Sequence, residues 1–368
     1  MTKKKLRRLP LAFTGVVLCA PQMAQAGDLT IKGGLTAVYQ QELRSNDDDA
    51  SLSGDLFLTY PTNDGNWFLY IEGATGTDAD SVFNLYPEVN GDANSVLDRN
   101  GGSHLQVSEL YYQFKLGERS RLLLGQIDTS AQIDRSRISN DENTQFLGVS
   151  FVNNPTIGFP DYALGILYRQ LAYERKPEVT LILSSSDGIA DNPGRSYSEL
   201  IDITGAGKGV FASASARWFR GPVEYGGGVW MRSDKHPRFD DMSRTGRNHG
   251  AYGVYGITFG EHSLNFRGGF ANDKVTQAAR FAGVSYELRQ PQGTFGFGAA
   301  RIFESNRART ASSGDTDHIE AWYRLPLIAD HLHVTADLQF VSNPGFYVSP
   351  SPAEANALVA GLRFDYVY

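Results

Sequence analysis

Cysteine is almost absent: there is one in 368 residues, Cys19, inside a leading segment expected to be removed. A secreted chain of this size without disulfides must be held by a core or by a sheet closed on itself. Long apolar runs are also missing beyond residue 26. No later stretch approaches the ~20 apolar residues of a membrane-crossing helix, so membrane residence would require a β-barrel. Positive charge is in deficit, with 34 Lys and Arg against 41 Asp and Glu, which argues against a nucleic-acid partner.

The amino terminus carries Lys3, Lys4, Lys5, Arg7 and Arg8, then an apolar run from Leu9 to Ala20, then Ala24-Gln25-Ala26. This is the order of a secretory signal peptide with a small-x-small cleavage site. Residues 1–26 are therefore expected to be removed, leaving 27–368 as a single domain. Leu18 stands where a lipoprotein signal would have a small residue, so no lipid anchor is expected on Cys19. Loss of the five basic residues takes the formal charge from −7 to −12.

Catalytic and cofactor motifs are missing as well. Gly205-Ala206-Gly207-Lys208-Gly209 fails as a phosphate loop, because Asp202 stands where the first Gly belongs and Gly209 where Ser or Thr belongs. His331 and His333 are the only closely spaced histidines on one face, and no acid or cysteine completes a metal set at ligand spacing. No Gly-x-Ser-x-Gly elbow occurs. The chain is expected to be neither an enzyme nor a cofactor or metal binder.

What is present is period-two alternation from Asp28 to the end. Leu52, Leu56, Leu58 and Tyr60 fall on one face and Ser53, Asp55, Phe57 and Thr59 on the other. Segments of roughly ten residues with this pattern, each ended by a turn, predict a transmembrane antiparallel β-barrel. Strands are expected near 28–43, 50–61, 66–75, 103–116, 120–128, 161–173, 178–185, 207–219, 222–232, 248–259, 262–271, 279–288, 293–303, 317–327, 332–342 and 355–368. That is an even number, about 16, enough for an aqueous lumen. The alternation changes register between Leu105 and Leu110, which predicts a bulge. Short turns such as Thr62-Asn63-Asp64-Gly65 alternate with long connections, as in outer-membrane barrels with long loops outside.

The longest uninterrupted connection, Thr129–Pro160, is too long for a simple link. Its apolar residues Ile133, Ile138, Phe146, Leu147, Phe151 and Ile157 alternate with Asp134, Arg135, Arg137, Asp141 and Glu142. It is expected to fold back as the third outer loop and narrow a pore. The alternation points Asp55, Glu72, Glu109, Gln126, Arg217, Arg232, Arg267, Glu287, Glu320, Arg324, Asp337, Gln339 and Arg363 into the lumen, with Phe57, Tyr70, Phe211, Trp230 and Trp322. Most of these are expected only to wet the lumen and pair with one another. Those level with the loop are candidates for a sugar path, because sugars offer C–H faces to aromatic rings and hydroxyls to charged groups.

The last strand ends on Tyr368, and such an aromatic end resembles the signal read by barrel-assembly machinery. Glu109-Leu110-Tyr111-Tyr112-Gln113, Leu124-Gly125-Gln126-Ile127-Asp128 and the run Asn140 to Phe151 with Asn153-Asn154-Pro155 carry a wider resemblance. With Leu338-Gln339-Phe340-Val341, Asn343-Pro344-Gly345 and Gly361-Leu362-Arg363, they are similar to the carbohydrate-selective outer-membrane porins of the OprB type. The resemblance implies a 16-stranded barrel in the outer membrane of a Gram-negative bacterium and passive uptake of small, glucose-like sugars. The implied partners are the sugar and outer-membrane lipid, with the barrels either single or in a homotrimer. Two rival functions stay open: a general or organic-acid porin on the same fold, and a secreted soluble polysaccharide-binding β protein.

Overall fold

The computed structural model describes residues 29–75, 81–92, 102–191, 196–205, 207–310, 313–328, 331–344 and 356–368; the signal peptide and parts of the long connections lie outside them. Eighteen strands are formed: β1 Thr30–Glu42, β2 Asp48–Thr62, β3 Gly65–Ala74, β4 His104–Lys115, β5 Ser120–Ile127, β6 Ala163–Gln170, β7 Glu178–Ser185, β8 Val210–Arg220, β9 Val223–Arg232, β10 His236–Arg238, β11 Asp241–Gly246, β12 His249–Phe259, β13 His262–Ala271, β14 Ala278–Gln290, β15 Gly293–Glu304, β16 Thr316–Ile328, β17 Leu332–Ser342 and β18 Asn356–Val367. Sixteen of them close into one antiparallel barrel, in which β9 pairs directly with β12 and β10–β11 stand apart as a hairpin.

The barrel is sealed by β1 against β18, from Gly34 opposite Val367 to Glu42 opposite Val359. Closure leaves the barrel sheet without a free edge strand, which lets a chain without disulfides hold together in lipid. The short turns follow from local chemistry. Arg220 pairs with Val223 and Phe259 with His262, leaving two-residue links whose first members, Gly221 and Gly260, take φ of +58° and +59°. A residue with a Cβ resists that angle, and a glycine there matches the twist of a tight hairpin.

Side chains alternate as expected. Leu52, Trp67, Leu183, Val229 and Phe270 stand half-exposed on the outer wall, while Glu72, Arg267, Glu320 and Arg363 are buried inside. The bulge falls at Ser108: Tyr70 opposes Glu109, and Ile71 opposes Val107. Two features were not anticipated. The β10–β11 hairpin occupies the connection after β9, because its residues pair with each other rather than with the wall. Residues 81–92 contain a short helix, α1 (Val82–Leu85), and a 3-10 turn that also fold into the barrel, where Val82, Phe83 and Val89 bury against Val38, Val341 and Val359 of β1, β17 and β18.

Candidate functional site

The segment between β5 and β6 departs at a seam. β5 stops at Ile127 while β4 continues above Leu110, the last residue it pairs with β5, so the upper edge of β4 lacks a strand partner on that side. Side chains fill the gap. Gln126 Nε2 donates to Val107 O (3.0 Å) and Ser108 O (2.8 Å), Tyr197 Oη accepts from Val107 N (2.7 Å), and Glu109 Oε1 accepts from Asp128 N (2.8 Å). Gln126 and Glu109, expected in the solute path, therefore patch the wall where the loop turns in. Thr129 Oγ1 donates to Pro160 O (2.9 Å) and ties the neck of the loop.

Inside the barrel the loop is fastened in two ways. Its apolar residues seat on the inner wall: Ile133 and Ile157 among Leu123, Leu167, Ile182 and Phe211, and Phe146 and Phe151 against Phe281, Ile302 and Trp322. Its backbone is gripped by three charged wall residues. Arg267 donates to Phe151 O and Val152 O (both 3.0 Å) and to Ser139 O; Arg363 donates to Glu142 O (2.7 Å) and Gln145 O (2.9 Å). The Glu320 carboxylate accepts from Leu147 N (2.7 Å) and Gly148 N (2.8 Å). The approach at Gly148 is so close that a Cβ there would lie 2.4 Å from His318 and 2.6 Å from Glu320. The position takes glycine because the wall comes within contact of the backbone. A second short helix, α2 (Val149–Val152), follows directly.

The sequence could place Arg267, Arg363, Glu320 and Trp230 inside, but assigned them to the solute. The structure corrects this: the three charged groups hold the loop, and Trp230, 3% exposed, lies beneath it with Phe211. Trp322 is covered in the same way by Phe146. Main-chain carbonyls and amides carry no sequence signature, so partners of this kind could not be foreseen. Arg232 runs beside Gly158 of the loop while Arg324 lies away from it, and carboxylates engage both. The first pairs with Asp187 (3.2 Å) and Asp234 (3.1 Å) at the long-loop end, and the second with Asp365 near the opposite rim. Asp337 accepts from Gln339 Nε2 (2.7 Å), which also donates to Val89 O (2.9 Å) and so steadies the 81–92 segment.

What remains facing the channel divides by charge. On one side Arg135 pairs with Glu178, and Arg137 Nε meets Glu224 Oε2 (3.1 Å), which also receives Arg217 Nη2 (2.6 Å). Asp134 lies 3.7 Å from Arg267. Neither Glu178 nor Glu224 was selected from the sequence, although both sit on inward positions opposite a loop arginine. On the other side stand Asp141, Glu142 and Asp55, with Glu72 buried behind them and accepting from Ser108 Oγ (2.6 Å). Asn143 Nδ2 reaches Asp55 Oδ2 (3.2 Å), and Tyr70 Oη donates to Asp55 Oδ1 (2.7 Å). Between the loops lies a cavity of about 700 Å³ lined by Asn84, Arg135, Glu142 and Tyr162. Burial, reinforced by Asp141 and Asp92, pushes the Glu142 carboxyl well above the usual range; burial holds Asp92 at about 7 and, against the pull of Arg267, Asp134 at about 6.

Below the cavity the inner faces of β2, β3 and β4 carry a run of rings. Tyr162 meets Tyr70 edge-on at 6.2 Å between centroids; Tyr70 stacks on Phe57 at 4.5 Å, Phe57 on Phe68 at 6.3 Å, and Phe68 on Tyr111 at 4.9 Å. Phe57, Phe68 and Tyr70 stay partly exposed, whereas Phe211, Trp230 and Trp322 do not. Among the described residues no cluster of His, Cys, Asp and Glu could hold a metal ion.

Comparison with known proteins agrees with this architecture. Pseudomonas putida OprB superposes with a TM-score of 0.72 at 15% identity, covering 92% of this chain and 94% of that one. The fold is a porin's. Vibrio cholerae OmpT in its trimer form (TM-score 0.57, 12% identity, 92% and 99% covered) and a Rhodopseudomonas blastica porin mutant (0.56, 12%, 92% and 100%) share it. Residues 241–368 match the model of the carbohydrate-selective porin family, OprB. No curated protein matches the chain. The family model covers the carboxy-terminal third of the chain, and the likeness of fold extends over 92% of it.

Proposed function

We propose that this porin is a passive channel through which small neutral carbohydrates diffuse into the periplasm, with the Thr129–Pro160 loop as its constriction. The observation that carries the reading is the pairing of a partly exposed aromatic strip, Phe57, Phe68 and Tyr70, with polar groups of both kinds at the same level, Asp55 and Asn143. Rings stack on the C–H face of a sugar while the carboxylate accepts and the amide donates to its hydroxyls. An organic-acid channel would favour guanidinium groups free of carboxylates, yet Arg135, Arg137 and Arg217 each have a glutamate partner. The closed barrel with an apolar outer wall disfavours a soluble polysaccharide binder.

On this reading the chain is exported with residues 1–26 removed, the remainder is one barrel domain, and strand β18 is presented to the assembly machinery. The long loops face outward. A cysteine at Asp240 should then be labelled on intact cells and one at Asp64 should not; the reverse pattern would invert the barrel. The functional test is the double change Arg135→Ala with Arg137→Ala, measured in planar bilayers. Loss of two cations that flank the opening should raise conductance, shift it toward cations and weaken block by sugar. Unchanged conductance and unchanged sugar block would refute the constriction.

A further inference from the structure

The outer wall carries a hollow of about 980 Å³ at the long-loop end of β8, β9 and β12, beneath the β10–β11 hairpin. Val229 and Met231, 58% and 44% exposed, stand opposite Ala214 and Ala212 on β8, so the wall is shallow beside them. Its lining is almost wholly apolar until the upper rim, where Lys235, Arg247 and His249 stand exposed. Among the described residues Lys235 and Arg247 have no ion-pair partner. Arg247 uses Nε to donate to Ser233 O (3.2 Å), which leaves its two terminal amino groups available. The neighbouring acid, Asp234, is 2% exposed and engaged with Arg232 and His236.

The geometry points to a binding site for one phosphate-bearing glycolipid of the outer leaflet, an acyl chain lying in the hollow and a phosphate on Lys235 and Arg247. Unpaired basic groups at a membrane boundary attract anionic headgroups, each cation contributing about 1 kcal/mol near the surface. An apolar depression below them receives the chain that comes with the headgroup. A second copy of the barrel fits less well, since a two-fold contact would set this cationic rim against itself.

The test uses the full-length barrel in detergent, titrated in native mass spectrometry with a bis-phosphorylated, acylated glucosamine disaccharide and with its dephosphorylated counterpart. The phosphorylated lipid should half-saturate one site at a concentration about tenfold lower. Lys235→Ala with Arg247→Ala should remove that difference, and Ala214→Trp, which fills the hollow, should reduce retention of both lipids. Heat-modifiable gel migration and undiminished sugar block in each variant show that the barrel and its channel are intact. Equal retention of the two lipids, or a preference that survives the double change, overturns the assignment. So does a dimer that excludes lipid and is broken by Ala214→Trp.

Discussion

Two parts of the same inner wall have opposite fates. Across β5–β9, β12 and β14–β16 the inward apolar residues, among them Leu167, Trp230, Phe281 and Trp322, are covered by the loop, and Arg267 of β13, Glu320 of β16 and Arg363 of β18 satisfy its backbone. On β2 and β3, Phe57, Phe68 and Tyr70 remain partly open beside Asp55. A polar residue inside a barrel is therefore not by that fact a channel residue. Buried donors and acceptors must be satisfied, and a loop crossing a lumen brings many of them.

The comparison breaks most visibly if the covered side is stripped. Arg267→Met takes the donor from Ser139 O and one of two donors from Phe151 O and Val152 O, which keep Ser139 Oγ and Asn140 Nδ2, and it removes the partner of Asp134, a loss of roughly 3 kcal/mol of loop docking. Glu320→Gln should act in the same direction more weakly, by loosening the hold on Leu147 and Gly148. Both variants should keep the heat-modifiable barrel. Single-channel conductance should rise several-fold in the first, and protease added from the long-loop side should cut within 129–160. Normal conductance in Arg267→Met would mean that the apolar anchors alone suffice.

The open side is probed by Tyr70→Ala and Phe57→Ala, which should leave the loop docked. Loss of one stacking face is worth about 1 kcal/mol, so the sugar concentration that half-blocks ion current should rise about fivefold while open-channel conductance changes little. Trp230→Ala serves as the contrast, since that ring lies under the loop. It should lower the thermal stability of the barrel without a matching change in sugar block. If Trp230→Ala and Tyr70→Ala proved alike in sugar block, the division of the wall into covered and open parts would fail.

This division also marks what the sequence could reveal. All 16 barrel strands, the bulge near Ser108 and the inward set were legible, because lipid on one side and water on the other impose a period of two on every strand. The apolar residues of Thr129–Pro160 marked it as a folded segment, since Ile133, Phe146 and Phe151 would not face water in such density. The use of each inward charge was not. Arg267 and Arg217 look the same in alternation, but one grips carbonyls and the other pairs with Glu224. The hairpin β10–β11 escaped because its strands are short and pair locally across an irregular register, and the folded 81–92 segment because its burial is set by Val38, Val341 and Val359, far away in sequence.

The smallest expected effect is pH dependence at the mouth of the loop. Burial raises the carboxyls of Asp92, to about 7, and Asp134, to about 6, and keeps Glu142 well above the ordinary range. A carboxyl whose pKa is raised on folding binds its proton more tightly in the native state. Its contribution to the docked loop is complete below the ordinary pKa near 4 and is lost as pH rises through the raised value. Between pH 5 and 8 Asp134 and Asp92 therefore ionise, docking weakens slightly, and the surroundings of the cavity gain negative charge. Conductance should rise over that interval and cation preference by about twofold at low salt, the change shrinking in concentrated salt as the charges are screened. Asp92→Asn should remove the part centred near pH 7 and leave the part near pH 6. A cation preference that is flat from pH 5 to 8 would show that these carboxyls are already ionised at the acid end, and hence that water reaches them freely behind the loop.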